Sequence, residues 1–334
     1  MSRPVPGCPM RVLMITTEWP RAPWGTAQFI ARQAESLRAA GIGVEVFQFH
    51  GQRNPLKYAK AWVDVQRLLS REHFDLVHAQ FGQSALLALP KRVPLVVTFR
   101  GDDLQGILDD HSGQITLPGR LLRGLSRTIA HLADGVIVVS AHMQPFVQNG
   151  KPVHVVPSGI DLQLFRPQPQ APARERLGLP ADERLVLFVG NPKLARKRFA
   201  LAQRAVELLP QELRARLVTC WLVPHMQIPD YLAACDALVF TSVQEGSPNA
   251  VKEALACDLP VVSVPIGDVA ERLRGVAGCE LCADDKPETV AAGLARVLAR
   301  RQRVDGHRAV RHLAEHLQTE KVIGIYHSIL NGRS

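Results

Sequence analysis

One pattern of short apolar runs alternating with helical segments occurs twice along this chain, and it leaves little choice of fold. In the first half the runs are RVLMIT (11–16), VEVFQF (44–49), DLVHAQ (75–80), PLVVTFRG (94–101), GVIVVS (135–140) and VHVVPSG (153–159). Near-continuous apolar strands with helical segments between them read as a parallel sheet whose crossover helices bury both faces. After FRPQPQAPARERLGLP, a polar Pro-rich stretch suited to an interdomain connection, the pattern restarts with RLVLFVG, RLVTCWLV, DALVFTS, LPVVSV and GVAGCELC, and mainly helical residues follow to the end. The 334 residues suffice for two α/β domains with full cores. The expected division is 1–166, a connection at 167–182, a second domain at 183–318, and a helix at 319–334 packing back on the first domain. Two such units in series create a cleft, and ligands bind beyond the carboxyl ends of parallel strands.

Composition removes several classes of function. With 46% hydrophobic and 21% charged residues the chain is an ordinary globular sequence, not a disordered one. No apolar run approaches the roughly 18 residues that span a bilayer, and the VLMIT run lacks a signal-peptide pattern, so a cytoplasmic chain is expected. The net charge of +9 comes from dispersed basic residues. That fits a solvated surface or peripheral contact with an anionic membrane, possibilities the sequence leaves open, and disfavours nucleic acid. Six dispersed cysteines suggest buried or idle thiols. Cys279 and Cys282 have ligand spacing but no second pair, and His312 and His316 lack the surrounding zinc pattern.

EGSPNAVKEA (245–254) directly follows the strand run DALVFTS, so it lies at the carboxyl end of a strand. Ser247 is a candidate N-cap with Pro248 at the first helical position, which leaves the amides of Asn249 and Ala250 unpaired. Such a helix start favours a phosphate. Glu245 before the helix and Glu253 one turn after Asn249 flank that position, a pairing suited to a polyhydroxylated ligand with phosphate between its ends. His78, at the end of DLVHAQ, is a candidate for acceptor contact across the cleft.

EGSPNAVKEALACDLPVVSVPIGDVAE resembles the Glu-x(7)-Glu region of retaining glycosyltransferases of family 4. WGTAQF, TFRGDD, ADGVIVVS, VVPSGIDLQLFRP and FVGNPKLARKRF match in the family's order, so the resemblance spans almost the whole chain. It implies the GT-B architecture: α/β, with two facing Rossmann-like domains, parallel sheets and an interdomain cleft. It further implies that Glu245 contacts the donor sugar and Glu253 the ribose, with the diphosphate between them along Gly246, Ser247, Pro248, Asn249 and Ala250. Near Gly190, a basic pair of the family stabilises the leaving diphosphate. Lys197 matches the family lysine, Asn191 replaces the usual arginine, Arg196 is the candidate substitute, and Lys193 could face the same cleft. Gly25 would let the backbone approach the diphosphate from the first domain.

Two departures matter. Where many members have His-Gly, this chain has Arg100-Gly101; either the backbone carbonyl carries the role, or Arg100 binds an anionic group, or catalysis is impaired. Asp103 matches the acid that closes this motif. VPHMQIPDYLAAC is shorter than the family's usual excursion, which leaves the base of the nucleotide unassigned. The expected activity is metal-independent, retaining transfer of a sugar from a nucleoside diphosphate sugar to a hydroxyl of a glycan or lipid-linked saccharide. No Asp-x-Asp metal motif occurs and no cofactor is expected. The competing readings are a nucleotide-sugar-binding partner without transfer activity, and a GT-B-type sugar-nucleotide epimerase.

Overall fold

The computed structural model describes residues 9–20, 27–51, 54–109, 113–147 and 150–332. In the N-terminal domain, β1 (Arg11–Thr16), β2 (Gly43–Gln48), β3 (Leu76–Gln80), β4 (Leu95–Phe99), β5 (Gly135–Val138) and β6 (Val153–Val155) form a sheet of order β2-β1-β3-β4-β5-β6. In the C-terminal domain, β7 (Arg184–Val189), β8 (Ala215–Cys220), β9 (Ala237–Phe240), β10 (Val261–Ser263) and β11 (Glu280–Leu281) take the order β11-β10-β9-β7-β8. Neighbouring strands are parallel throughout. Every residue of β3, β4, β5 and β9 is buried, the condition behind their near-continuous apolar runs, with His78, Gln80 and Thr98 as buried polar exceptions.

The helices of the first domain are α1 (Gln28–Ala39), α2 (Pro55–Arg71), α3 (Gly82–Ala85), α4 (Asp102–Gln105) and α5 (Leu117–Leu132). Those that follow are α6 (Gln170–Leu177), α7 (Phe199–Glu207), α8 (Ile228–Ala234), α9 (Asn249–Ala256), α10 (Val269–Leu273), α11 (Pro287–Arg300), α12 (Gly306–Val310) and α13 (Glu315–Asn331). Local chemistry sets the starts of α2 and α5. Asn54 accepts from the Leu56 amide at 2.9 Å, and Thr116 accepts from the Gly119 amide at 3.1 Å, each with a proline in the first turn. Ala61 and Val65 of α2 and Ile129 and Ala130 of α5 share one core with Leu13, Val77 and Val97, so these helices cover the same sheet face. None of the helices among the described residues is long and apolar enough to cross a membrane.

The Pro-rich stretch at 167–182 is not extended throughout. Its middle forms α6, where Ala173 packs on Ala233 and Ala234 of α8. The buried Arg174 donates to the Ala234 carbonyl at 2.9 Å and to Asp236 Oδ2 at 2.8 Å. Helix α13 crosses to the first domain, where Val322, Ile325 and Tyr326 join α1 and the second face of the sheet. Arg32 of α1 anchors its start, 2.7 Å from Glu315 and 3.1 Å from Asp161.

His78 belongs to this packing and not to the cleft, correcting its expected role in acceptor contact. The ring is fully buried, with Nδ1 2.6 Å from the Tyr326 hydroxyl and Nε2 2.7 Å from Thr98 Oγ1. His78 is the middle residue of β3 and not its end, and the strand pattern alone does not show that α13 returns over that face. Burial, reinforced by the Arg100 charge, lowers its pKa from 6.5 to about 3. With the folded value depressed, its contribution to stability is complete above pH 6.5 and is lost as pH falls toward 3. Urea unfolding should show this contribution shrinking by about 2 kcal/mol between neutral pH and about pH 5 relative to His78→Asn. Parallel pH profiles for the two proteins would contradict the assignment.

Candidate active site

The two domains meet where the loop after β4 touches the loop after β9. A side chain at Gly246 would place its Cβ 2.2 Å from the Arg100 carbonyl oxygen, so glycine is required by backbone-to-backbone approach. The contact is bonded on both sides. Ser140 Oγ donates to the Gly246 carbonyl at 3.0 Å, and Gln244 Nε2 donates to the Gly106 carbonyl at 2.7 Å. Above it opens a cleft of about 640 Å³ whose walls include Glu18, Phe29, Arg100, Gly101, Asp102 and Asp103 from the first domain. Facing them are Gly190, Asn191, Leu194, Arg196, Lys197, Trp221, Glu245, Gly246, Ser247, Pro248 and Asn249.

On the second wall, Lys197 Nζ lies 2.5 Å from Glu245 Oε1 and above the Phe240 ring. Arg196 reaches across the cleft, 3.5 Å from Asp102 Oδ2. Both cations therefore already face carboxylates at the strand ends. Lys193 is exposed and is not on the wall, so the expectation that it faces the cleft is corrected. The turn closes on itself there: the Lys193 amide donates to Asn191 Oδ1 at 3.0 Å, and the chain then passes through a 3-10 turn at 195–197 that points Arg196 and Lys197 inward. Gly190 has φ +134°, a conformation that favours glycine and starts this turn.

Helix α9 begins at Asn249 with Pro248 as its N-cap, one residue later than expected. Ser247 does not cap it, because its Oγ donates to Asp268 Oδ2 at 2.7 Å, a buried acid also held by Arg272 Nε at 2.9 Å. The anion-binding character survives the shift, since the amides of the first turn lack intrahelical acceptors wherever the helix starts. Asn249 lies on the cleft wall, whereas Ala250 packs against the domain core. Glu253 stands off this wall, half-buried, with Oε1 3.8 Å from His225 Nε2. Gly25 lies outside the described residues.

The Arg100 side chain is taken up by its neighbours. Its guanidinium donates to Gln80 Oε1 (2.6 and 3.0 Å), Gln33 Oε1 (3.0 Å) and Ser158 Oγ (2.9 Å), and stacks 4.6 Å above the Phe29 ring. Burial lowers its pKa to about 10, so it stays charged at neutral pH. Its carbonyl packs against Gly246. Asp103 is the brace beneath this loop, accepting from the amides of Gly82, Arg100 and Gly101. Burial raises its pKa to about 6 against the opposing pull of those amides.

Sequence reading does not single out several wall or support residues, among them Glu18, Phe29, Asp102, Leu194, Trp221 and Lys252. Glu18 and Trp221 sit just beyond the ends of β1 and β8, and a strand-end rule applied to every strand would have found them. The run RLVTCWLV places Trp221 within a strand, but β8 stops at Cys220 and the residue is 36% exposed at the cleft. Lys252 is fully buried on α9 and donates to the Ser158 carbonyl at 3.0 Å. Burial lowers its pKa to about 8. The cysteines among the described residues are free, and burial raises the pKa of both Cys279 and Cys282 to about 11.

Known proteins share this two-domain fold. Residues 11–164 match the family model described as Glycosyltransferase Family 4, and residues 186–300 match that described as Glycosyl transferases group 1. Among curated relatives, a Bacillus subtilis protein named for teichuronic acid biosynthesis, TuaC, is 30% identical over 59% of this chain and 54% of its own length. A D-inositol 3-phosphate glycosyltransferase of Segniliparus rotundus is 28% identical over 82% of this chain and 65% of its own. The matched region thus spans between half and two thirds of these relatives. Among solved structures, sucrose-phosphate synthase of Thermosynechococcus elongatus superposes with a TM-score of 0.81 at 18% identity, covering 97% of this chain and all of that one. HepE of Anabaena, solved with UDP, gives 0.66 at 19% identity, covering 96% of this chain and all of that one. At these identities the likeness is one of fold.

The Gly246 contact makes a paired prediction. Gly246→Ala should lower the free energy of unfolding by about 1–3 kcal/mol through overpacking against the Arg100 carbonyl. Gly124→Ala, on α5 where an added methyl meets nothing within 4 Å, should instead be neutral or stabilising by up to about 1 kcal/mol. Urea unfolding of both variants checks the pair, and equal effects would show that the loops are not in close contact.

Proposed function

Because the chain belongs to the family 4, group 1 glycosyltransferases, we propose that it transfers a sugar from a nucleoside diphosphate donor to a hydroxyl of a glycan or lipid-linked saccharide, with retention of configuration and without a metal. The supporting observation is the convergence of Glu245, Lys197, Arg196 and the start of α9 in the interdomain cleft. The donor diphosphate lies against the first-turn amides of α9 and draws Lys197 and Arg196 away from their carboxylates. Glu245, released from Lys197, accepts hydroxyl hydrogens of the sugar. Trp221 at the edge of the same wall offers a flat face to the base.

As the bond from the anomeric carbon to the phosphate oxygen breaks, negative charge collects on the diphosphate, where two fixed cations stabilise it more than they stabilise the bound donor. The acceptor oxygen bonds to the same face of that carbon. Its proton passes to the leaving phosphate oxygen, so the step needs no protein nucleophile. In keeping with a lipid-linked acceptor, the chain works in the cytoplasm as a peripheral visitor to an anionic membrane.

Lys197→Ala should slow transfer by at least about 2 kcal/mol of barrier, roughly thirtyfold, with a smaller effect on donor affinity. The assay follows release of free nucleoside diphosphate from a panel of UDP-, GDP- and ADP-sugars, with and without a chelator. Loss of activity on chelation would overturn the metal-independent reading, and tight donor binding without transfer or hydrolysis would favour a binding partner over an enzyme. Glu253→Ala should weaken nucleotide binding; unchanged binding would leave Glu253 as a partner of His225 alone.

A further inference from the structure

We propose that Gln105, Ser140 and His142 of the first domain form a hydrogen-bonded relay that positions Glu245, across the domain boundary, for the donor sugar. The proposal rests on the reading of Glu245 as the residue that meets that sugar, and adds what aims it. Ser140 Oγ donates to the Gly246 carbonyl at 3.0 Å and lies 2.6 Å from His142 Nδ1. Gln105, the last residue of α4, has its Nε2 2.9 Å from His142 Nε2 and 3.4 Å from the Glu245 carbonyl oxygen. Two successive carbonyls of the second domain are thus held by three linked side chains of the first.

The two carbonyls can only accept, and that fixes every proton in the set. The single hydrogen of the Ser140 hydroxyl goes to Gly246, so its oxygen accepts from His142 and the ring carries its proton on Nδ1. Nε2 is then a bare acceptor, and the end of the Gln105 amide that faces both it and the Glu245 carbonyl is the amino end. Burial lowers the His142 pKa against the opposing pull of Asp268 and the Glu245 carbonyl, so the ring is neutral at neutral pH.

What the relay holds is the freest point of the loop. The Glu245 and Gly246 carbonyls belong to the planar peptides on either side of the Gly246 Cα, and glycine leaves their mutual rotation open. Gly267, with φ +57°, passes so close that an added Cβ would lie 3.1 Å from both oxygens. With the oxygens bounded in this way, the Glu245 backbone keeps one orientation and its carboxylate stays on the cleft wall beside Lys197. The approach of Gly246 to Arg100 sets how far apart the loops stand, and the relay sets how the Glu245 peptide is turned.

The test begins with nitrogen-15 correlation spectra of the histidine rings in the full chain, with His142→Phe identifying the His142 signals. His142 should be neutral with its proton on Nδ1; a proton on Nε2, or on both nitrogens, would overturn the relay. Steady-state transfer and calorimetric binding follow, using the UDP-, GDP- or ADP-sugar that the wild type binds and the same nucleoside diphosphate without its sugar. Ser140→Ala and His142→Phe should each lower kcat about tenfold and reduce the extra affinity that the sugar adds, with affinity for the bare diphosphate within about twofold of wild type. His142→Asn, whose amide still donates to Ser140, should recover much of the loss. A structural role alone would lower melting temperature and diphosphate affinity in all three variants alike; that result, or an unchanged kcat, overturns the relay. If Glu245→Ala abolishes transfer while the relay variants keep it, the relay falls and the proposed activity stands. If the wild type binds a sugar nucleotide but transfers nothing, the catalytic reading falls and the sugar's share of the affinity decides the relay. An unchanged share in Glu245→Ala, or binding of none of the panel by the wild type, overturns both.

Discussion

The contact between Gly246 and the Arg100 carbonyl sets the distance between the two walls of the cleft. No side chain fits between the two backbones, and the hydrogen bonds from Ser140 and Gln244 fix the loops laterally as well as in depth. Glu245 is the residue before this contact and α9 starts just after it, so the position of the anion-binding helix relative to the first domain follows from a glycine. Arg100 is held just as firmly from below. Asp103 gathers two amides of its own loop and that of Gly82 at the start of α3, and Gln80, Gln33 and Ser158 occupy the guanidinium. An arginine at this position thus serves as a brace that joins the sheet, α1 and the segment leading into the second domain.

Buried polar groups extend the brace into both cores. Ser158 is the shared node: its hydroxyl accepts from Arg100 and its carbonyl accepts from Lys252, so a residue before the second domain is bonded to both sides of the cleft. Burying an ammonium is costly unless it is paired, and the lowered pKa of Lys252 expresses that cost. Asp268 lies in the same region beneath the start of α9, holding Ser247 and Arg272 through one oxygen, while its Oδ1 has no hydrogen-bond partner among the described residues. Concentrating such groups behind a binding loop limits the conformations the loop can adopt, because each alternative would strand a buried donor or acceptor.

Both sheets were legible because a parallel strand buried on two faces is nearly all apolar, as the β4, β5 and β9 runs are, and as β7 is after its first residue. The approximate location of the site was legible for a related reason: EGSPN follows a strand and precedes a helix, whichever residue caps it. What could not be read were the directions of side chains whose surroundings come from distant sequence. His78 turns toward Tyr326, 248 residues later, and Ser247 is taken from its capping role by Asp268, 21 residues later. Lys193 and Lys197 belong to one basic cluster in the sequence, yet a single 3-10 turn sends one to solvent and the other to Glu245. The helix inside the Pro-rich stretch was hidden because Arg174, its central polar residue, is satisfied by carbonyls and an acid far along the chain.

The polarity of the cleft follows from which domain supplies each charge. Glu18, Asp102 and Asp103 outnumber Arg100 on the first-domain side, and Arg196 and Lys197 outnumber Glu245 on the other. Burial raises the pKa of Glu18 and Asp102, with their mutual repulsion adding to the shift of Glu18 and Arg196 opposing it in both. A diphosphate near those acids would raise them further, so its favourable place is on the second-domain wall, against the cations and the first turn of α9. The acids then remain as hydrogen-bond acceptors facing the other side of the cleft, which suits the hydroxyl groups of a saccharide. In the proposed transfer, this charge separation would assign one wall to the donor and the other to the acceptor before either molecule binds.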